Sequence, residues 1–163
     1  MPGRVDASVR PNQLFAAGAL PFAVVDDATA RAVVALIERD LVTPLGVRTL
    51  SPSDPAYRGR YEGGVAQRDG AYHQGTAWPW LTGAFVDAWL HVHANDAARR
   101  AEARARFVAP LGAHLMASGL GHLPEIADGD APQRPRACPF QAWSLGEYRR
   151  ALARTAPRAP ASR

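Results

Sequence analysis

The chain has 163 residues, room for one domain or part of one, and its 19 basic residues, every one an arginine, against 15 acidic ones give a formal charge of +4. That charge accompanies no nucleic-acid recognition module, and no apolar run approaches the roughly 18 residues of a membrane span, so nucleic-acid and membrane partners are set aside. The lone Cys138 excludes an internal disulfide and fits a reducing, cytoplasmic compartment.

Residues 1–8 are polar, lack an apolar signal core and are expected to be disordered. Residues 11–19 then read as a short helix and 27–42 as a longer one, with Asp26 or Asp27 able to cap its free N–H groups. In the longer helix Ala32 and Leu36, and Val33 and Ile37, recur at helical spacing and predict the buried stripe. Residues 43–75 hold Pro44, Gly46, Pro52, Pro55, Gly59, Gly63, Gly64 and Gly70, a density of breakers that predicts a long loop. Tyr57, Tyr61, Tyr72 and His73 within it favour an ordered loop over a linker.

A helix is predicted over 76–93, apolar nearly all round and so placed inside, with Pro79 near its start. Another is predicted over 96–118, where Pro110 implies a kink or a break. Its cluster of Arg99, Arg100, Arg104 and Arg106 is interleaved with acids and reads as a solvated face. An irregular stretch over 120–137 and a last helix over 138–153 complete the pattern, and 154–163 reads as a disordered tail. No alternating Val/Ile-rich run predicts a strand, so the expected class is all-α.

Two irregular segments, 60–80 and 119–144, gather the reactive side chains, each just before a helix. Sugars present hydroxyl groups and weakly polar C–H faces, so a sugar site needs planar polar partners and aromatic platforms. Arg60, Asp69, His73, Gln74, Trp78, Trp80, Gln141 and Trp143 supply that mixture, whereas Trp89 reads as core. Glu125, between Pro124 and Ile126, is either an exposed loop acid or a general acid–base group. Asp128 and Asp130, around Gly129, read as turn formers or caps ahead of chemistry. His91 and His93 face different ways on a helix, and no ligand set or phosphate loop surrounds them, so neither metal nor cofactor is expected.

The stretches RPNQLFA (10–16), RTLSPSDPAYRGRYEG (48–63), AYHQGTAWPWL (71–81) and GLGHLPEIADGDAPQRPRACPFQAWS (119–144) occur in this order. Together they resemble the C-terminal glucosidase domain of glycogen debranching enzymes, the amylo-α-1,6-glucosidase family. The resemblance implies an (α/α)6 toroid of six helical hairpins, and hydrolysis with inversion of the α-1,6-linked glucose left at a branch point of an α-glucan. It implies that Glu125 is the base that activates water, with Arg60, Tyr61, His73, Gln74, Trp78, Trp80, Gln141 and Trp143 contacting sugar or supporting the site.

The family's general acid is an Asp upstream of these motifs, and no segment here corresponds to it. Residues 9–153 are therefore expected to be the last part of the toroid, a fragment that begins just before the RPNQ motif and is inactive without an upstream segment. Helices built for a closed ring should leave apolar faces such as 78–90 open in the isolated chain. The competing expectations are a noncatalytic glycan- or partner-binding helical module and a related toroidal hydrolase acting on another α-glucoside.

Overall fold

The computed structural model describes residues 3, 5–22 and 24–157. The greater part of the expected disordered tail, residues 158–163, and residues 1, 2 and 4 of the expected disordered start lie outside this description.

Pro11 opens a turn in which the Leu14 N–H donates to the Pro11 carbonyl at 3.0 Å, and a π-helical turn, Phe15–Ala19, follows. Gly18 there has φ of 122°, and a Cβ on it would lie 2.7 Å from the His91 ring, so the position suits only glycine. Helix α1, Asp27–Asp40, is capped by Asp26, whose carboxylate accepts from the Thr29 N–H and hydroxyl, both at 2.9 Å. Its buried stripe is Ala30, Val34 and Ile37, so the wet side reaches Ala32, and Leu36 is only half-buried.

The expected loop over 43–75 contains regular structure. Strands β1, Val42–Thr43, and β2, Gly46–Arg48, form a hairpin, and α2 runs Val65–Ala71. The helix expected from residue 76 begins later, because Ala77–Trp78 is strand β3 and helix α3 covers Leu81–Val92. The predicted helix over 96–118 is interrupted: α4, Ala97–Ala103, passes through a π-helical turn, Arg104–Val108, into α5, Ala109–Ala117. Pro110 has no N–H for the preceding turn and its ring crowds that turn's carbonyl, which a wider turn accommodates. Strands β4, Ile126–Ala127, and β5, Pro135–Arg136, precede α6, Ala142–Arg154.

The all-α expectation is thus corrected to a helix-rich chain with a small antiparallel sheet, whose five strands follow chain order, β1 to β5. Val47 pairs with both Val42 and Trp78, Ala77 with Ala127, and Ile126 with Arg136. Strands of two or three residues are too short to show an alternating pattern, which is why the sequence reads as loop there.

Helix α3 is the centre of the core. The first π-helical turn, α1, α4 and α6 all pack on it, and Phe85, Val86, Ala88, Trp89 and Leu90 are each at most 1% exposed. The expectation of an open apolar face over 78–90 is therefore corrected: Trp78 and Leu81 are only 5% exposed, and the neighbours within the chain cover the stretch. Asp87, on the same helix, takes ion pairs from Arg150 and Arg154 of α6. The arginine cluster is only in part a solvated face. Arg99 and Arg106 pair with Glu102, but Arg100 is 7% exposed and donates to the Asn95 carbonyl. Among the described residues no helix is long and apolar enough to cross a membrane.

Candidate active site

The loops that surround the sheet are tied by polar contacts between distant residues. Arg10 donates to the Thr49 carbonyl at 3.2 Å, the His73 carbonyl at 2.8 Å and Gln74 Oε1 at 2.8 Å. The Arg58 N–H donates to the Gln74 carbonyl at 2.6 Å, and the Gly75 N–H to Thr49 Oγ1 at 2.9 Å. Segments 49–60 and 72–76 are thereby fastened side by side.

Asp128 anchors the next layer. Its carboxylate is fully buried, accepts the Tyr61 N–H at 2.9 Å and is forked by the Arg136 guanidinium, Nη2 to Oδ2 at 2.8 Å. This corrects the reading of Asp128 as a turn former: it is a buried anion that holds two loops together, with a charge partner and an amide donor satisfying it. Asp130 accepts the Tyr57 hydroxyl at 3.0 Å. Burial, then that hydrogen bond, pushes the Tyr57 phenol up to about 12. A Cβ on Gly59 would lie 2.2 Å from Asp130 Oδ1, so the loop needs a residue without one.

Glu125 sits at the end of this scaffold, half-buried just before β4. Its own N–H donates to the Cys138 carbonyl at 2.8 Å, and the Cys138 N–H lies 3.4 Å from Oε2. Its other carboxylate oxygen, Oε1, accepts the Tyr72 hydroxyl at 2.5 Å. Tyr72 is not among the candidates that sequence reasoning selected. The available signal was its place inside the AYHQGTAWPWL stretch, beside His73. Burial, followed by the bond to Glu125, drives its phenol well above the usual range, so Tyr72 is a lasting donor.

A groove of about 330 Å³ is walled by His73, Trp78, Trp80 and Trp143 with Phe15 at one side, and neither Tyr72 nor Glu125 lines it. His73 and Trp78 stack, with centroids 5.4 Å apart and planes 10° from parallel. Trp80 and Trp143 stand 5.9 Å apart, and Trp143 is half exposed. Trp78 is buried, with Nε1 donating to Thr76 Oγ1 at 3.1 Å, so it forms the groove's back. Tyr72 joins the two features, because its ring lies 4.8 Å from His73 and 4.9 Å from Trp78 while its hydroxyl holds Glu125.

The remaining candidates lie around this centre. Tyr61 packs its ring 5.8 Å from that of Tyr72. Gln141 precedes α6 and is fixed by its backbone N–H, which donates to the Leu123 carbonyl at 2.9 Å. Gln74 is committed to Arg10, and exposed Arg60 lies 4.0 Å from Asp130, so neither lines the aromatic groove. Asp69 is exposed on α2. Among the described residues no group of three or more His, Cys, Asp or Glu is arranged to hold a metal ion.

A carboxylate linked through Tyr72 to a wall of indole and imidazole rings suits a sugar, whose C–H faces stack on aromatic rings while a carboxylate accepts protons at its edge. Over 100 residues, 58% of the chain, the sequence is 36% identical to the glycogen debranching enzyme of Saccharomyces cerevisiae, and the matched stretch spans only 6% of that protein's length. A profile described as amylo-alpha-1,6-glucosidase matches residues 2–150, so the chain belongs to the amylo-alpha-1,6-glucosidase family.

Proposed function

We propose that this chain is the part of an inverting α-1,6-glucosidase that carries the general base and one aromatic wall of the glucosyl site, acting on the single glucose left at a branch point of an α-glucan. Glu125 is that base. The observation that carries the reading is its carboxylate, held at one oxygen by Tyr72, only distantly approached at the other, and joined through the Tyr72 ring to a groove walled by Trp78, Trp80 and Trp143. In the reaction Oε2 takes a proton from water as that water attacks the anomeric carbon. The C–O bond to the branch oxygen breaks, and a carboxylic acid on the opposite side delivers the proton which the departing oxygen needs.

Inversion requires that second carboxyl group about 6.5–9.5 Å away, leaving room for the water. Asp128 does not fill the role, because its carboxylate is engaged by Arg136 and the Tyr61 amide, and Asp130 is engaged by Tyr57. On this reading the acid lies in a further segment of the enzyme, as the family resemblance implies, and with that segment these helices complete an (α/α)6 toroid. The exposed Cys138 thiol suits a reducing cytoplasm.

The test combines the chain with an acid-bearing upstream segment and assays a branched limit dextrin. The combination should release glucose with inverted anomeric configuration, and the chain alone should release none. Glu125→Gln should remove roughly 10² to 10⁴ of the rate while substrate binding stays nearly intact. Glucan binding without turnover in every combination would identify a noncatalytic binding module instead. Preferential release from another α-linked glucoside would reassign the linkage.

A further inference from the structure

We infer that Tyr72 is the positioning residue of the base: its hydroxyl fixes Glu125 Oε1, leaves Oε2 to face water, and sets the carboxylate in register with the aromatic wall on which the sugar lies. The part that concerns water and sugar rests on the proposed role of Glu125. The hydrogen bond itself stands independently of it.

The case begins with how firmly Tyr72 is held. Its carbonyl accepts the Thr76 hydroxyl at 2.6 Å and the Trp78 indole N–H at 3.3 Å. Its ring is enclosed by Tyr61, His73 and Trp78, at 5.8, 4.8 and 4.9 Å. A side chain fixed at backbone and ring has little rotamer freedom left to lose, so its hydroxyl is a prepaid constraint on its acceptor. Glu125 in contrast ends on a flexible stem, and among the described residues its only other polar tether at the carboxylate is the Cys138 amide at 3.4 Å, close to the limit of a hydrogen bond. Without Tyr72 the carboxylate would rotate about that weak contact.

Chemistry sorts the two oxygens. Tyr72 can donate only while its phenol keeps the proton, and its raised titration ensures that it does. The bond at 2.5 Å is charge-assisted and occupies one side of Oε1, while Oε2 keeps lone pairs for a water proton. His73 and Trp78, which touch the Tyr72 ring, are also groove walls, so one residue links where sugar stacks to where the base points. The ionisable groups around the pair are Tyr61, His73 and Cys138.

Two measurements on the full chain, isotopically labelled, test the hydrogen bond without any turnover. Tyrosine Cζ shifts are followed against pH, with Tyr72 assigned by the signal missing in Tyr72→Phe. In the unsubstituted chain Tyr72 should titrate well above the ordinary value of about 10, and Glu125→Gln should lower its midpoint by about one unit. An unchanged midpoint overturns the inference. Side-chain relaxation at Glu125 should reveal lost order in Tyr72→Phe and none in Tyr61→Phe, and equal order in all three overturns it as well. Should Tyr72→Phe fail to fold, the Glu125→Gln titration still decides.

Turnover then separates this role from that of the base. In the hydrolytically competent combination Tyr72→Phe should lower kcat by about 10-fold to 100-fold with KM within about twofold. The double variant should be no slower than Glu125→Gln alone, because the two residues act as one unit. Normal turnover in Glu125→Gln would remove the base assignment and leave the hydrogen bond standing. Full kcat in Tyr72→Phe beside an inactive Glu125→Gln would remove the positioning role alone.

Discussion

The α3 core and the loop layer around the sheet are built on different physics. Around α3, stability comes from burying large apolar side chains such as Trp89, Phe85 and Leu90, a non-directional gain that scales with area. The layer that carries Glu125 and Tyr72 rests on named polar contacts instead: Arg10 to Gln74, Tyr57 to Asp130, Arg136 to Asp128. Such contacts are individually worth little net, yet costly to leave half made. The core therefore gives rigidity without geometry to spare, and the loop layer gives geometry that fails one contact at a time.

The largest effect should come from the core. Trp89→Ala removes a side chain 1% exposed, whose ring packs on Phe107 and whose Nε1 donates to Glu38 at 2.8 Å. It should lose about 4 kcal/mol in denaturant unfolding, with amide exchange rising across the whole chain. Asp128→Asn should lose about 2 kcal/mol, less than a fully enclosed ion pair would because the Arg136 side chain is 26% exposed. Its exchange should rise chiefly at Tyr61 and in β4 and β5. If that variant opened the α3 region equally, the two regions would be one cooperative unit and the contrast would be lost.

Gly59→Ala comes next, at about 1–2 kcal/mol, since its Cβ must displace the Asp130 carboxylate or the loop. A melting curve measures it, and Tyr57 should titrate lower once its partner moves. The smallest effect is at the cap of α1. Hydrogen bonds from Thr29 hold the Asp26 carboxyl below the usual carboxylate range. Its contribution is therefore complete above about pH 4 and is lost as pH falls through the depressed native value. Asp26→Ala should destabilise slightly at neutral pH and not at all in strong acid, as paired melts at the two pH values would reveal.

The division between the regions also explains what was legible in the sequence. Helix α1 announces itself by apolar spacing and by Asp26 and α3 by its apolar run, and the observed ends of α1, α3 and α6 fall within a few residues of the predicted ones except where β3 takes the start of 76–93 and α6 begins only at Ala142. Pro110 marked the interruption of 96–118 correctly. The sheet was invisible, because pairing such as Ala77 with Ala127 depends on residues far apart in the chain and on no local pattern. At the site the aromatic residues of 71–81 and 119–144 come together as a groove, but the sequence offered no reason to prefer Tyr72 over its neighbour His73. Gln74 and Arg60 lie outside the aromatic groove, Gln74 accepting from Arg10 and Arg60 standing 4.0 Å from Asp130.

The strand order, which simply follows the chain from Val42 to Arg136, bears on how the molecule forms. Joining β3 to β4 closes a loop that contains α3, α4 and α5, and closure costs entropy before the short pairing repays it. The helices around α3 should therefore assemble first, with the meander condensing late on the folding route. Substitutions in the meander would then leave the folding arm of a chevron nearly unmoved and steepen the loss of the native state through faster unfolding. For the neighbourhood of Glu125, the property exposed to sequence drift is its lifetime once formed rather than the speed at which it forms.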